Sequence, residues 1–257
     1  MYSFCRALKV DLRRGLVSSC FLLTVALLFV VHLCAVLPDY FSQAIPMKSW
    51  QKMLVNAHAS GLTDTMMFLG AVCYAWSYCQ DRDSGFYDQA VRRVGFRVYC
   101  LSRVVAVALT AFLAGVLSDI LLTLVLRALP ELPPLSSDAA VEQALYLPVA
   151  GAHTGLFLLL RYVHTGMVCA MVGATGLAAS AFVRNTHVAV FVPYVLYLLA
   201  DELIALLKIR FFSFYGLFYL PHFRFDQTRS FWYMLYVSAV LIGIAGYVFY
   251  RRADWRR

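Results

Sequence analysis

The sequence predicts an all-α fold: one polytopic bundle of membrane-spanning helices that occupies residues 1–257 as a single domain. Hydrophobic residues make up 62% of the chain and charged residues only 14%, whereas about a quarter of a soluble domain is charged. The apolar residues form six runs, each near the 20 residues that cross a bilayer as a helix. Six spans leave room for short connections and for no separate soluble domain.

Residues 1–15 precede the first run and predict a short amphipathic helix. Such a helix lies in the headgroup plane of the anionic cytoplasmic leaflet. A plain basic flank of the first span is the alternative. The apolar residues recur at helical spacing as Tyr2, Cys5, Leu8, Leu12 and Leu16, with Arg6, Lys9 and Arg13 beside that stripe.

The six spans follow in order, and the fourth is rich in small residues that let helices approach closely in lipid. The segment after the first span is predicted to lie outside, with Tyr40 and Trp50 as interfacial anchors. The predicted spans are 16–37, which ends at Pro38, then 61–79, 104–126, a span within 155–183, 187–207 and 231–250.

The charges predict that both termini are cytoplasmic and that the protein is a multi-pass protein of the inner membrane. Arginines and lysines crowd against the ends of the spans on one side: before the first span, in residues 80–103, at Arg184 and in the C-terminal tail. Cytoplasmic loops carry such an excess of basic residues. This rule explains the net charge of +8, so nucleic acid is not an expected partner.

Residues 80–103 form the one long charged stretch between two spans, and we predict a cytoplasmic elbow there. The stretch holds five arginines and three aspartates, so it cannot lie in hydrocarbon. Mixed charges close to the membrane suit docking onto a soluble protein, where they give orientation more than affinity. A solvated linker is the alternative. The predicted contact residues are Asp81, Asp83, Gly85, Asp88, Arg92 and Arg93.

Residues 208–230 are too apolar for an exposed loop and too short for two spans. Phe211 to Tyr233 contains eleven aromatic residues. We expect a re-entrant hairpin that dips into the outer leaflet, which is tolerated where protein covers the backbone. An aromatic belt at the interface is the alternative.

Charges inside the spans are costly and mark candidate functional positions. These are Asp119 in the third span, Arg161 in the fourth, and Asp201 with Glu202 in the fifth. They could carry a proton or cation path, or they could snorkel to the interface and help the bundle to fold.

No cofactor or metal site is expected from the sequence. His32 and His164 are the only histidines at comparable depth in spans, and no spacing links them; His58 is placed outside. The cysteines form neither a disulfide framework nor a zinc pattern. The sequence also lacks a P-loop and hydrolase signatures, so the chain is not expected to be an enzyme.

The elbow carries a recognisable order of residues. Asp83-Ser84-Gly85 puts an acid before a glycine, Val91 is apolar, Arg93-Val94-Gly95 forms a basic patch, and Arg103 leads the next span. With the six-span layout, this order resembles the membrane (permease) subunit of a type-2 class ABC transporter over nearly the whole chain. Phe86 stands where that family often has threonine, and no proline follows Arg93.

The resemblance implies an exporter subunit whose energy comes from a separate ABC ATPase, which binds ATP and magnesium. A second permease, the same or a sister chain, would complete the pathway. An amphipathic or lipid-like cargo suits the apolar walls. The alternatives are an ion-coupled secondary transporter that uses the charges within the spans, and a membrane-embedded enzyme acting on lipid.

Overall fold

The computed structural model describes residues 2–41, 49–59, 65–134, 149, 153–207 and 227–254. The all-α prediction is confirmed, since the described residues form helices and turns and contain no strand. The helices within these ranges are α1 (Tyr2–Leu16), α2 (Ser19–Phe41), α3 (Trp50–Ala59), α4 (Met66–Val72), α5 (Ser77–Asp83), α6 (Phe86–Val94), α7 (Phe96–Ala128), α8 (Thr154–Ser180), α9 (Thr186–Leu206) and α10 (Gln227–Asp254).

Five of these helices are long and apolar enough to cross a membrane, so the chain is a multi-pass membrane protein. They correspond to five of the six predicted spans. The qualifying stretches are Ser19–Phe41, Phe96–Ala128, Thr154–Ser180, Thr186–Ile204 and Phe231–Ala253.

The second predicted span, 61–79, is not one continuous helix. Residues 61–64 lie outside the described part of the chain, and α4 is separated from α5 by a turn at residues 73–76. At that turn the indole Nε1 of Trp76 donates to the Val72 carbonyl at 3.1 Å. The Ser77 amide donates to the Tyr74 carbonyl three residues back, which tightens the backbone as in a 3₁₀ turn.

Helix α8 lies at the centre and packs against α4, α7, α9 and α10. Its small residues permit this, as the sequence predicted. A Cβ on Gly173 would lie 2.9 Å from the Ala111 Cβ of α7, and one on Gly176 would lie 2.8 Å from the Ala75 Cβ. Side chains at these positions would push the neighbouring segments away from α8.

Two predictions near the first span are wrong. Pro38 does not end the helix, because α2 continues to Phe41; proline is tolerated in membrane helices where neighbours satisfy the freed backbone groups. Trp50 is not an interfacial anchor, because α3 packs against α2 and α7. The Trp50 ring is buried, with Phe157 at 6.5 Å between centroids.

The structure describes the predicted N-terminal helix but only the last residues of the predicted re-entrant segment. Residues 2–16 do form a helix, and α1 packs along α7; its place in a headgroup plane stays a prediction. The predicted re-entrant segment, 208–230, lies outside the described residues except for 227–230, which begin α10.

Candidate functional site

The first candidate site is a buried ionic cluster of Asp11, Arg14, Asp81 and Arg103, where α1, α5 and α7 meet. Arg14 Nη2 donates to Asp81 Oδ1 at 2.8 Å. Arg103 pairs with Asp81 through Nη2 and Oδ2, and the same Nη2 lies 3.4 Å from Asp11 Oδ1. Two aspartates and two arginines balance in charge, which is the condition under which buried ions are tolerated.

Neutral donors and acceptors complete the ionic cluster. Tyr99 OH donates to Asp81 Oδ2 at 2.9 Å, Ser102 Oγ donates to Asp11 Oδ2 at 2.9 Å, and Arg103 Nη1 donates to the Tyr74 hydroxyl at 2.8 Å. Each aspartate therefore accepts a hydroxyl hydrogen bond as well as facing an arginine. Such satisfied polar networks fix one arrangement of the elements that contribute to them.

Burial disfavours the ionisation of Asp11. Burial raises the pKa of its carboxyl, and this effect exceeds the opposing pull of Arg103 and of the Ser102 hydrogen bond. Desolvation penalises the charged form of a carboxyl in this way. The charge of the Asp11 side chain therefore depends on how closely α1 packs against α7.

Helix α6 presents the exposed charges of the elbow. Its apolar side packs inward through Val91, whereas Asp88, Arg92 and Arg93 are exposed. Asp83 is exposed at the end of α5.

Glycines with a left-handed φ flank α6 on both sides, Gly85 at 71° and Gly95 at 85°. A Cβ on either glycine would meet nothing within 4 Å. The backbone conformation, and not lack of space, is therefore what requires glycine at both ends of α6.

The space between α6 and α1 is a cavity of about 180 Å³. Apolar side chains, among them Val10 and Phe86, line most of it, with Arg6 and Arg93 also contributing. Arg14 bridges the two helices, since its guanidinium carbon lies 4.6 Å from the Phe86 ring centroid. α6 thus rests on α1 and α7 while its outer side stays open.

Two predictions for the elbow need correction. Asp81 was predicted to contact a partner, and Arg103 was placed in the aqueous loop, yet both side chains are fully buried in the ionic cluster. They hold the elbow in place from within. Asp83, Asp88, Arg92 and Arg93 keep the exposure that a docking surface needs.

The second candidate site is a polar cluster around Asp119, about 24 Å along α7 from Arg103 at 1.5 Å per residue. We call it the Asp119 cluster, and its other members are His32 of α2, His58 of α3 and Thr165 of α8. Asp119 Oδ1 lies 3.0 Å from His58 Nε2 and 3.7 Å from His32 Nδ1. Thr165 Oγ1 donates to Asp119 Oδ2 at 2.6 Å.

The remaining charges predicted inside the spans divide between two places. Arg161 is fully buried on α8, and its charge acts on His32, His58 and Asp119. It therefore does not snorkel to an interface. Asp201 and Glu202 lie on α9, where Asp201 is partly buried and Glu202 is exposed.

His58 and Thr165 are the members that the sequence prediction missed. The segment of His58 was placed outside the membrane. The structure pairs His32 with His58, their ring centroids 4.1 Å apart, whereas from the sequence only His164 lies at a depth comparable with that of His32. A helical period in α3 could have revealed this. Among residues 50–58 of α3 only Lys52 and Asn56, four residues apart, are not buried, and His58 lies away from that one polar side.

A third feature is an apolar groove of about 420 Å³ between α8, α9 and α10. Phe182, Leu196 and Ile244 line it together with small residues of α8. α9 and α10 also expose large apolar side chains, among them Leu199 and Tyr247. In a membrane protein such faces contact lipid or another chain.

No family model, no curated protein and no solved structure matches the chain.

Proposed function

We propose that this chain is the permease subunit of a type-2 class ABC exporter, energised by a separate ATPase that binds ATP and magnesium. The observation that carries the proposal is the exposure of charges of both signs on α6. This short helix directly follows α5, whose Asp81 is held by α1 and α7 through buried polar contacts. A cytoplasmic elbow that receives force from an ATPase needs both properties.

The contacts around α6 make it suitable as a lever. Asp81, at the end of α5 that leads into α6, is held by Arg14 of α1 and Arg103 of α7. Arg82 Nη2 donates to the Val183 carbonyl in the turn between α8 and α9 at 3.1 Å. A displacement of α6 would therefore reach α1, α7 and the α8–α9 turn together.

The exposed charges set the specificity of the proposed docking. Asp83, Asp88, Arg92 and Arg93 combine both signs over one short surface, so a partner must match their order. Truncating one member of a charge pair that becomes buried in an interface costs roughly 2–5 kcal/mol, whereas a charge at the rim changes affinity far less. The size of a mutational effect therefore locates each charge within the interface.

Site-specific photo-crosslinking in the native membrane tests the proposal. A photoreactive residue at Gln89, which is exposed at the rim of the cavity between α6 and α1, is expected to crosslink to a protein that contains a P-loop ATPase domain. The matched control is Glu131, exposed just beyond the opposite end of α7, which should give no such product. Crosslinking of the ATPase from Glu131 and not from Gln89 would contradict the proposal.

A functional measurement complements the crosslinking. In the co-purified complex, the double substitution Asp83→Ala with Arg93→Ala is expected to lower both the yield of bound ATPase and the substrate-stimulated hydrolysis of ATP. The isolated, contaminant-free chain should hydrolyse no ATP, since it has no P-loop. If the double variant is expressed normally and neither the yield of bound ATPase nor the stimulated hydrolysis changes, α6 only connects α5 with α7 and the proposal is wrong.

A second permease, the same or a sister chain, completes the proposed transporter. The exposed apolar faces of α9 and α10 and the groove beside them support this, because two such faces can enclose a path for an amphipathic or lipid-like cargo. Both termini and α6 are assigned to the cytoplasmic side of the inner membrane on the distribution of basic residues.

An ion-coupled secondary transporter is the second candidate, and the Asp119 cluster favours it. A buried carboxylate between two imidazoles and near an arginine is the kind of group that carries protons or cations through a bundle. This candidate predicts cargo uptake into vesicles driven by an ion gradient without ATP, and its loss in Asp119→Asn. Transport that requires ATP and persists in Asp119→Asn would exclude it.

A further inference from the structure

We propose that His32, His58 and Asp119 form a binding site for one divalent transition-metal ion of the Zn²⁺ class. The inference concerns the interior of the bundle and stands apart from the proposed docking of an ATPase on α6. It rests on three side chains from three helices whose lone pairs converge in a fully buried place.

The hydrogen bonds of the two histidines determine which ring nitrogen faces the centre. His58 Nδ1 lies 3.1 Å from the Leu54 carbonyl oxygen, and a carbonyl only accepts, so Nδ1 carries the hydrogen. His32 Nε2 lies 3.3 Å from the Met66 sulfur, a weak acceptor. The lone pairs of His58 Nε2 and His32 Nδ1 are therefore left toward Asp119.

The carboxylate is oriented in the same manner. Thr165 Oγ1 donates to Asp119 Oδ2 at 2.6 Å, which leaves Oδ1 toward the two imidazoles. His32 Nδ1 is a buried atom without a hydrogen-bond partner, and Asp119 Oδ1 faces the His58 ring at 3.0 Å. Holding the far side of each ligand by a hydrogen bond is how proteins orient metal-binding groups.

The separations match a tetrahedral ion. With bonds of 2.0–2.2 Å from nitrogen and oxygen to zinc, ligand atoms lie about 3.3–3.5 Å apart. Asp119 Oδ1 is 3.0 Å from His58 Nε2 and 3.7 Å from His32 Nδ1, and all three ligand atoms lie within 4.8 Å of one another. Without a cation between them, three lone pairs would face one another inside the protein.

The types of ligand atom limit which metal ions the site can bind. Two imidazoles with one carboxylate suit zinc or cobalt, whereas magnesium and calcium prefer oxygen ligands alone. Three protein ligands leave one coordination position open, as in exchangeable zinc sites. The charge of Arg161 opposes a dication, so we expect weaker binding than at a structural zinc site.

The test is a Co²⁺ titration of the purified full chain, carrying no polyhistidine tag and stripped with a chelator. The wild type is expected to bind one equivalent and to give the intense visible absorption of tetrahedral Co²⁺, while Mg²⁺ fails to compete. Asp119→Asn and His58→Gln should each abolish that absorption. His187→Gln, which removes an exposed imidazole, should leave it unchanged.

A milder variant keeps the test valid if the ligand variants fail to fold. Thr165→Val preserves the side-chain shape and removes the hydrogen bond to Asp119 together with the 3.5 Å contact to His58 Nε2, so Co²⁺ should bind roughly 10–100-fold more weakly. Tetrahedral absorption that persists in both ligand variants overturns the proposal. A wild type that takes up no Co²⁺ at neutral pH also overturns the proposal. In that case, protonation of the His58 ring at both nitrogens would show that a proton and not a metal ion balances the Asp119 carboxylate.

Discussion

Removing one charge from the ionic cluster should destabilise the protein by an amount set by burial. In Arg103→Met the guanidinium is replaced by an apolar chain, and the buried Asp81 and Asp11 carboxylates lose the cation that faces both. Breaking a buried ion pair by removing one partner costs about 3–5 kcal/mol, because the remaining charge stays desolvated. We expect a loss of this size for Arg103→Met.

Arg14 provides the matched comparison. Its side chain is 34% exposed and contacts the same Asp81, so water and salt screen its pairing. Pairs of exposed charges contribute up to about 1 kcal/mol, and Arg14→Met should cost near that value. The double substitution Asp81→Asn with Arg103→Met removes both partners of the deepest pair. It should therefore cost less than the sum of the two single changes.

The assay is unfolding of the purified chain in mixed micelles by titration with sodium dodecyl sulfate, followed by circular dichroism. It compares the apparent free energies of unfolding of the wild type and the four variants. Equal losses for Arg103→Met and Arg14→Met would refute the reasoning, because burial would then not set the strength of the pairing. Strict additivity in the double substitution would refute the direct coupling of Asp81 with Arg103.

Two further expectations concern α6 and α1. Alanine at Gly85 or at Gly95 should cost about 1–3 kcal/mol each, because both have a positive φ that L side chains rarely adopt, and should speed hydrogen exchange in α6. Gly155→Ala, at an open helical position with no positive φ, should cause no loss, because alanine is favoured over glycine in a helix. Because burial raises the folded-state pKa of Asp11, stability should fall as the pH rises from the unfolded-state pKa through the folded-state pKa, and Asp11→Asn should remove that fall in pH-dependent unfolding curves.

Hydropathy was sufficient to predict the long helices, because a run of about 20 apolar residues has few alternatives to a membrane helix. It was not sufficient for the second span. There the turn at residues 73–76 contains a hydrogen bond from the Trp76 indole to the Val72 carbonyl, a contact that no apolar pattern encodes. Because of this break in the helix, the sequence alone does not give the rotation of α5 about its axis relative to α4.

That break explains why the elbow was predicted only in part. Asp81 and Asp83 are two residues apart, so they point about 200° apart around a helix, and only one of them can face the bundle. Both are aspartates that flank Arg82, and their charge is the same. Which one is buried depends on the rotation of α5, and Arg14 and Arg103 favour the rotation that buries Asp81.

The two buried clusters place different demands on α7, the helix that contributes to both. The ionic cluster ties α7 to α1 and α5 through charges that balance, and separating them would expose unpaired ions to a dry interior. The Asp119 cluster ties α7 to α2, α3 and α8 through single contacts to His32, His58 and Thr165. If α6 is pushed by a partner, α1, α5 and α7 therefore move most easily as one unit. A cation bound at the Asp119 cluster would add one further tie between α7 and the helices α2 and α3.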